Sequence, residues 1–116
     1  MLRAGLIGLG SMGANHARVL SLLADVEFVA VCDSVAQEGP RSQGRPVLRD
    51  IEDLLALDLD YVVVATPTVT HLPIGLQLAA AGVHALIEKP LTLDAAQAVE
   101  LARAFETAGL IGAVGH

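Results

Sequence analysis

The residues Gly8-Leu9-Gly10-Ser11-Met12-Gly13 have the types and spacing that holding a pyrophosphate requires, and they follow the apolar run Leu2 to Ile7 directly. Gly8 permits the tight turn, Gly10 lets main chain approach the phosphates with no Cβ in the way, and Gly13 allows close packing between helix and strand. A helix beginning near Ser11 offers free N–H groups and the positive end of its dipole, so no basic loop residue is needed. Gly8, Gly10, Ser11, Met12 and Gly13 are the candidate pyrophosphate contacts. GxGxxG alone is weak evidence, and its tests are a strand before, a helix after and an acid about 20 residues further on. Asp33 supplies the acid at the end of a second apolar run, Val26 to Cys32. Its carboxylate would accept the hydroxyls of the adenosine ribose and repel a 2′-phosphate, which favours NAD over NADP. Ser34, counted with Asp33 among the cofactor contacts, weakens that preference together with Arg41 and Arg45, so NADP stays open. The competing reading of Asp33 is a strand-end turn residue, and of the arginines, solvated loop charges.

These residues need elements to hold them, and strand-like runs alternate with helical periods along the chain, the pattern of a parallel sheet covered on both faces. Leu2 to Ile7 is the first strand. Residues 12–23 carry Ala17, Leu20 and Leu23 at helical spacing, and Val26 to Cys32 is the second strand. Gly39, Pro40 and Gly44 break the stretch from Ser34 to Arg45, so the crossover there is short or absent and Val47-Leu48 is only a brief third strand. Asp50 is expected to cap a short helix through Leu57. Tyr61 to Ala65 forms an apolar central strand, followed by a helix from about Thr70 to Ala81, closed by Gly82. His84 to Ile87 is a fifth strand, Thr92 or Asp94 opens a helix to Ala108 that Gly109 ends, and Leu110 to Val114 is the sixth.

At 116 residues the chain is one domain, long enough to bury about two thirds of its unfolded surface. Its apolar fraction of 53% comes with only 3% aromatics, which suits a parallel sheet and offers no stacking platform for nucleic-acid bases. A net charge of −6 also argues against a phosphate-backbone partner. The single cysteine, Cys32, reads as a buried apolar filler and suits a reducing cytoplasm. No signal-like segment or membrane-spanning run is visible. No carboxylate or cysteine stands at metal-ligand spacing from His16 or His71, so no metal is expected. Both histidines read as structural hydrogen-bonding residues, as does His84, while His116 lies at the terminus.

Ligands of open parallel sheets bind outside the carboxyl ends of the strands, so the glycine loop, Asp33, Ala65-Thr66-Pro67-Thr68, His71 and Glu88-Lys89-Pro90 should meet at one crevice. Their combination resembles the nucleotide-binding half of the Gfo/Idh/MocA oxidoreductases, the family of glucose-fructose oxidoreductase and inositol dehydrogenase, over the whole chain. Gly8 to Gly13 with Asn15-His16 is similar to the family's GxGxxGxxH opening, Ala65-Thr66-Pro67 with His71 to its ATPxxxH element, and Glu88-Lys89-Pro90 to its EKP loop. The resemblance implies a Rossmann-type, doubly wound α/β fold with a mainly parallel sheet of about six strands and a shortened crossover after the second. It implies that Lys89 lies beside the nicotinamide and the substrate carbon as the catalytic lysine, that Glu88 approaches the nicotinamide ribose, and that Thr66 and Pro67 contact the cofactor. An ammonium there would hydrogen-bond a developing oxyanion. The bland alternatives are a solvated strand-end lysine and an ordinary helix-leading acid. Trans is the base-rate expectation before Pro90, and a cis bond would aim Lys89 into the crevice.

The chain departs from the family pattern twice. The segment after Asp33 is short where relatives carry a longer helix, which would leave the adenosine side more exposed. Family enzymes also continue into an α+β domain that supplies the substrate pocket, further catalytic groups and usually the oligomer interface. The expectation is therefore a single dinucleotide-binding domain over 1–116 without that second domain, either a fragment of a longer enzyme or a naturally short protein. The parent reaction would be hydride transfer between nicotinamide and a sugar, polyol or related hydroxyl compound, and the isolated chain would turn over poorly, since a small-molecule substrate needs the second domain. Two other readings stand beside it: a nicotinamide-binding redox sensor without catalysis, and a structural remnant that forms a homo-oligomer through exposed apolar surface.

Overall fold

Why the sheet assembles in the order it does follows from which strands are apolar on both faces. In the computed structural model, which describes residues 1–34, 41, 42 and 44–115, β5 (Tyr61–Val64) is apolar throughout, β1 (Leu2–Ile7) is buried from Ala4 to Ile7, and the two lie side by side at the centre. Strands β2 (Val26–Cys32), β3 (Arg41–Ser42) and β4 (Arg45–Leu48) extend the sheet on one side, and β6 (His84–Glu88) and β7 (Gly112–Gly115) on the other, in the order β3-β4-β2-β1-β5-β6-β7. Six of the strands run parallel, and the two-residue β3 pairs antiparallel with β4. The expected six-stranded parallel sheet is thus present, with β3 as an addition that two polar residues did not announce. The proposed irregular crossover after Asp33 falls mostly on residues outside those described.

Helix α1 (Ser11–Leu22) covers one face of the sheet, where Ala17 and Leu20 pack with Ala4, Leu6, Phe28, Val31 and Val63. Helices α2 (Ile51–Leu55), α3 (His71–Ala80) and α4 (Ala95–Ala108) lie on the other, and Leu54, Leu78, Leu101 and Phe105 join Ile7, Val62, Val64 and Ile87 there. This is the doubly wound arrangement. One irregularity sets which side chains reach each face: Ala4 pairs with Phe28 but Gly5 pairs with Ala30, leaving Val29 as an extra residue in β2. Side chains alternate along a strand, so the extra residue exchanges the faces of everything after it. Ala30 and Cys32 consequently join the core under α2 and α3, while Val31 points to α1.

Helix ends fall close to the expected places, with two refinements. Asp94, rather than Thr92, is the N-cap of α4, its side chain accepting from the Gln97 N–H at 2.9 Å. Asp50 does precede α2, but its side chain makes no capping bond; its carbonyl accepts from the N–H groups of Asp53 and Leu54 instead. His84 keeps the structural role expected of it, its Nδ1 accepting from the Ile111 N–H at 2.9 Å and tying β7 to β6.

Candidate functional site

The carboxyl ends of β1, β2, β4 and β5 open into a cavity of about 680 Å³. It is bounded by the glycine loop at Gly8 to Gly10, by Asp33 and Ser34 after β2, by Arg49 to Glu52 after β4, and by Ala65 to Pro67 after β5. The loop is held from three sides, Gly8 N–H donating to Cys32 O at 2.8 Å, Ala65 N–H to Ile7 O at 2.8 Å, and Leu9 N–H to Asp33 Oδ2 at 2.7 Å. Its glycines have different physical reasons. Gly8 adopts φ +104°, and a Cβ there would lie 2.6 Å from Ala65 O; a Cβ at Gly13 would collide with Gly8 O. Those two positions exclude side chains because the loop, α1 and the β5 end are packed together. A Cβ at Gly10, by contrast, would meet nothing within 4 Å. No packing among the described residues requires glycine at position 10, which lies on the cavity wall.

Helix α1 begins at Ser11 behind Gly10, which provides no side-chain cap. The first intrahelical bond runs from Ala14 N–H to Gly10 O at 2.8 Å, so the amides of residues 11–13 point out of the helix end without a helical acceptor. Those amides and the dipole of a twelve-residue helix make an anion cradle without a cation. Elsewhere in the wall three carboxylates, Asp33, Asp50 and Glu52, stand with one cation, Arg49, among the described residues. Cys32, buried at 2% exposure, has its thiol pushed up from 9.0 to about 11, first by burial and then by Asp33, Asp50, Glu52 and Asp53. The cavity therefore combines a helix end suited to an anion with carboxylates suited to hydroxyl donors, the two features that a dinucleotide's pyrophosphate and ribose would match.

Beyond Pro67 the backbone is fixed by its own side chains. Thr70 Oγ1 donates to Pro67 O at 2.6 Å and lies 2.6 Å from Thr66 Oγ1. His71, 1% exposed, places Nε2 at 2.8 Å from Thr66 O and Nδ1 at 2.9 Å from Leu91 O. Glu88 ends β6 and pairs with His16 of α1, and the Lys89–Pro90 peptide bond is cis. Lys89 is exposed, and among the described residues its ammonium pairs with no carboxylate.

A family model described as an oxidoreductase family with an NAD-binding Rossmann fold matches residues 2–116. The chain belongs to the Gfo/Idh/MocA family. It is 33% identical over 117 residues to a UDP-N-acetylglucosamine 3-dehydrogenase from Acidithiobacillus ferrooxidans, covering 99% of this chain and 37% of that protein. It is 37% identical over 114 residues to inositol 2-dehydrogenase 4 from Saccharopolyspora erythraea, covering 93% of this chain and 34% of that one. Among solved structures, GenD2 from gentamicin A biosynthesis in complex with NAD superposes with a TM-score of 0.92 at 38% identity, over 98% of this chain and 34% of GenD2. The chain thus spans about a third of the length of these relatives, and the part it spans is an NAD-binding Rossmann domain.

Within this Gfo/Idh/MocA domain, six of the residues singled out in the sequence, Gly8, Gly10, Asp33, Ser34, Thr66 and Pro67, line one cavity. Gly13 is buried beneath the loop and shapes it from behind, Met12 is exposed at the helix start, and Ser11 is the first residue of α1. Glu88, the last residue of β6, and Lys89, which follows it, are outside the cavity wall. Glu88 already has a partner in His16, a pairing that no sequence spacing suggested. The cavity also takes in Arg49, Asp50 and Glu52, which local patterns missed. The signal that finds them is the carboxyl-end rule applied to β4, once Val31 is known to pair with Val47. Among the described residues no cluster of three or more His, Cys, Asp or Glu side chains could hold a metal, and no helix is long and apolar enough to cross a membrane.

Proposed function

We propose that this chain is the cofactor half of a dehydrogenase that moves a hydride between nicotinamide C4 and the hydroxyl-bearing carbon of a sugar or polyol. The observation that carries the reading is the pairing, in one cavity, of an open Gly10 and a helix end on one side with an Asp33 carboxylate already oriented by the Leu9 N–H on the other. NAD, when bound, supplies the hydride acceptor. The amides of residues 11–13 then receive its pyrophosphate, with Gly8 and Gly13 keeping the loop closed against Ala65. Asp33, with Ser34 beside it, receives the adenosine ribose hydroxyls, and the negative cluster of Asp33, Asp50 and Glu52 disfavours a 2′-phosphate. Thr66 and Pro67 bound the cofactor along β5, and Lys89 stands at the reacting end, where its ammonium would stabilise the substrate oxygen as the alcohol proton departs. The names of the relatives, dehydrogenases of inositol and of UDP-N-acetylglucosamine, support a polyol or sugar substrate. The substrate pocket belongs to a second domain that this domain would face, and the protein would work in the cytoplasm. Self-association of the domain through its exposed β7 edge is part of the same proposal, favoured by Ile111 at 69% exposure.

The test is a titration of the chain with NADH and NADPH, followed by nicotinamide fluorescence. Saturable binding is expected, tighter for NADH. Gly10 has φ −63° and no neighbour at its Cβ position, so Gly10→Leu should keep the folded circular dichroism spectrum and weaken NADH at least about tenfold. No saturable signal with either nucleotide would sink the cofactor reading. Unchanged affinity in folded Gly10→Leu would move the pyrophosphate elsewhere.

A further inference from the structure

Two histidines in the family-like motifs lie outside the cavity wall, yet both end on the segment that carries Lys89. His16, on the second turn of α1, pairs through Nε2 with Glu88 Oε1, the two side chains 20% and 14% exposed. His71, at the start of α3, is 1% exposed and reaches Thr66 O with Nε2 at 2.8 Å, and Leu91 O and Pro90 O with Nδ1 at 2.9 and 3.1 Å. Carbonyl oxygens only accept, so a ring nitrogen that carries a proton donates to the loop it faces, and the imidazole spans the two loops. Lys89 thus lies in a four-residue segment, Glu88 to Leu91, pinned at its first residue from α1 and at its last two from α3. The lysine is exposed between two fixed points.

We propose that His16 and His71 are positioning residues that fix Lys89 relative to the nicotinamide end of the cavity, each from a different helix. The inference rests on the reading of Lys89 as the group beside the nicotinamide. Its physical basis is that an ammonium on a long flexible stem is only as well placed as its backbone, and a misplacement of about 1 Å costs on the order of 100-fold in rate. It also couples the ends of the site. Helix α1 carries the phosphate cradle and His16 together, while His71 joins Thr66, at the cavity wall, to the lysine loop.

Lys89 is the only lysine in the chain, which makes the test direct. Reductive methylation with 13C-formaldehyde labels Lys89 and the Met1 amine, and Lys89→Arg identifies which NMR signal is which. Saturating NADH should shift the Lys89 methyl signal. His16→Leu should reduce that shift by about half or more while NADH affinity stays within about threefold, and His16→Gln, whose amide N–H can still meet Glu88, should restore it. For His71 the two amides separate the roles. Asn places a donor where Nδ1 was and keeps the lysine-loop bond, whereas Gln places one where Nε2 was and keeps only the bond to Thr66; the shift should survive in His71→Asn and fall in His71→Gln. A purely structural histidine would not distinguish these pairs. Folded His16→Leu and His71→Gln giving the wild-type shift would overturn the proposal, as would loss of folding in all four variants. A wild-type Lys89 signal that ignores saturating NADH would instead overturn the placement of Lys89 itself.

Discussion

The Cys32 thiol ends β2 at the cavity wall with carboxylates of Asp33, Asp50, Glu52 and Asp53 around it. Burial first, then those charges, hold it up at about 11 against an ordinary 9.0. Iodoacetamide at pH 8 should therefore modify the folded chain at least about 100-fold more slowly than the urea-unfolded chain, because only the thiolate reacts. The sign of the stability effect follows from the same shift. The unfolded chain releases the thiol proton near pH 9 and the folded chain near 11, so stability is whole below about pH 9 and declines as the pH rises toward 11. Urea midpoints that decline equally in wild type and Cys32→Ala across that window would show that the thiol is not responsible. At this scale Asp33 and the three glycines were legible because a fingerprint is local, each residue's role being set within about 25 positions. Asp50 and Glu52 were not. Nothing in their own sequence says that β4 lies beside β2, and that pairing alone brings them to the cavity.

Elements differ in how their ends are held, and the helices make the contrast measurable. Asp94 caps α4 with a 2.9 Å bond to the Gln97 N–H, and Gln97 Oε1 accepts in return from Leu93 N–H at 3.4 Å. Asp50 occupies the same position at α2 without a side-chain bond. Asp94→Ala should thus cost about 1 kcal/mol, and Asp50→Ala less than about 0.5 kcal/mol, in urea denaturation. Equal losses would mean that the carboxylates act through helix-dipole charge rather than through capping. The element order, the four helices and the six parallel strands could be read from apolar periodicity. The extra residue at Val29 could not, because Val26 to Cys32 is apolar almost throughout and gives no alternation for a slip to disturb. Likewise the two-residue β3 depends on its partner strand rather than on its own composition.

At the scale of the whole sheet, the described strands end on one side at β7, whose four residues are largely exposed, Val114 among them at 37%, and which follows Ile111 at 69% exposure. Within the described residues β7 has a hydrogen-bonded partner on one side only, β6. An edge with exposed apolar side chains favours pairing with another chain. Sedimentation velocity should show concentration-dependent association, and Ile111→Lys should shift it toward monomer; a strictly monomeric chain at about 0.5 mM would refute this, since even a weak edge contact populates dimers there. The glycine loop has a consequence of another kind. Positions 8 and 13 are required by the packing of loop, helix and strand, whereas a side chain at position 10, on the cavity wall, would meet nothing among the described residues. A related chain that had given up its dinucleotide would be under no pressure at 10, yet would still need glycine at 8 and 13 to fold. The loop thereby records two histories separately, that of the architecture and that of the ligand, and a substituted position 10 between intact glycines is the signature of a domain that has kept its shape and abandoned its cofactor.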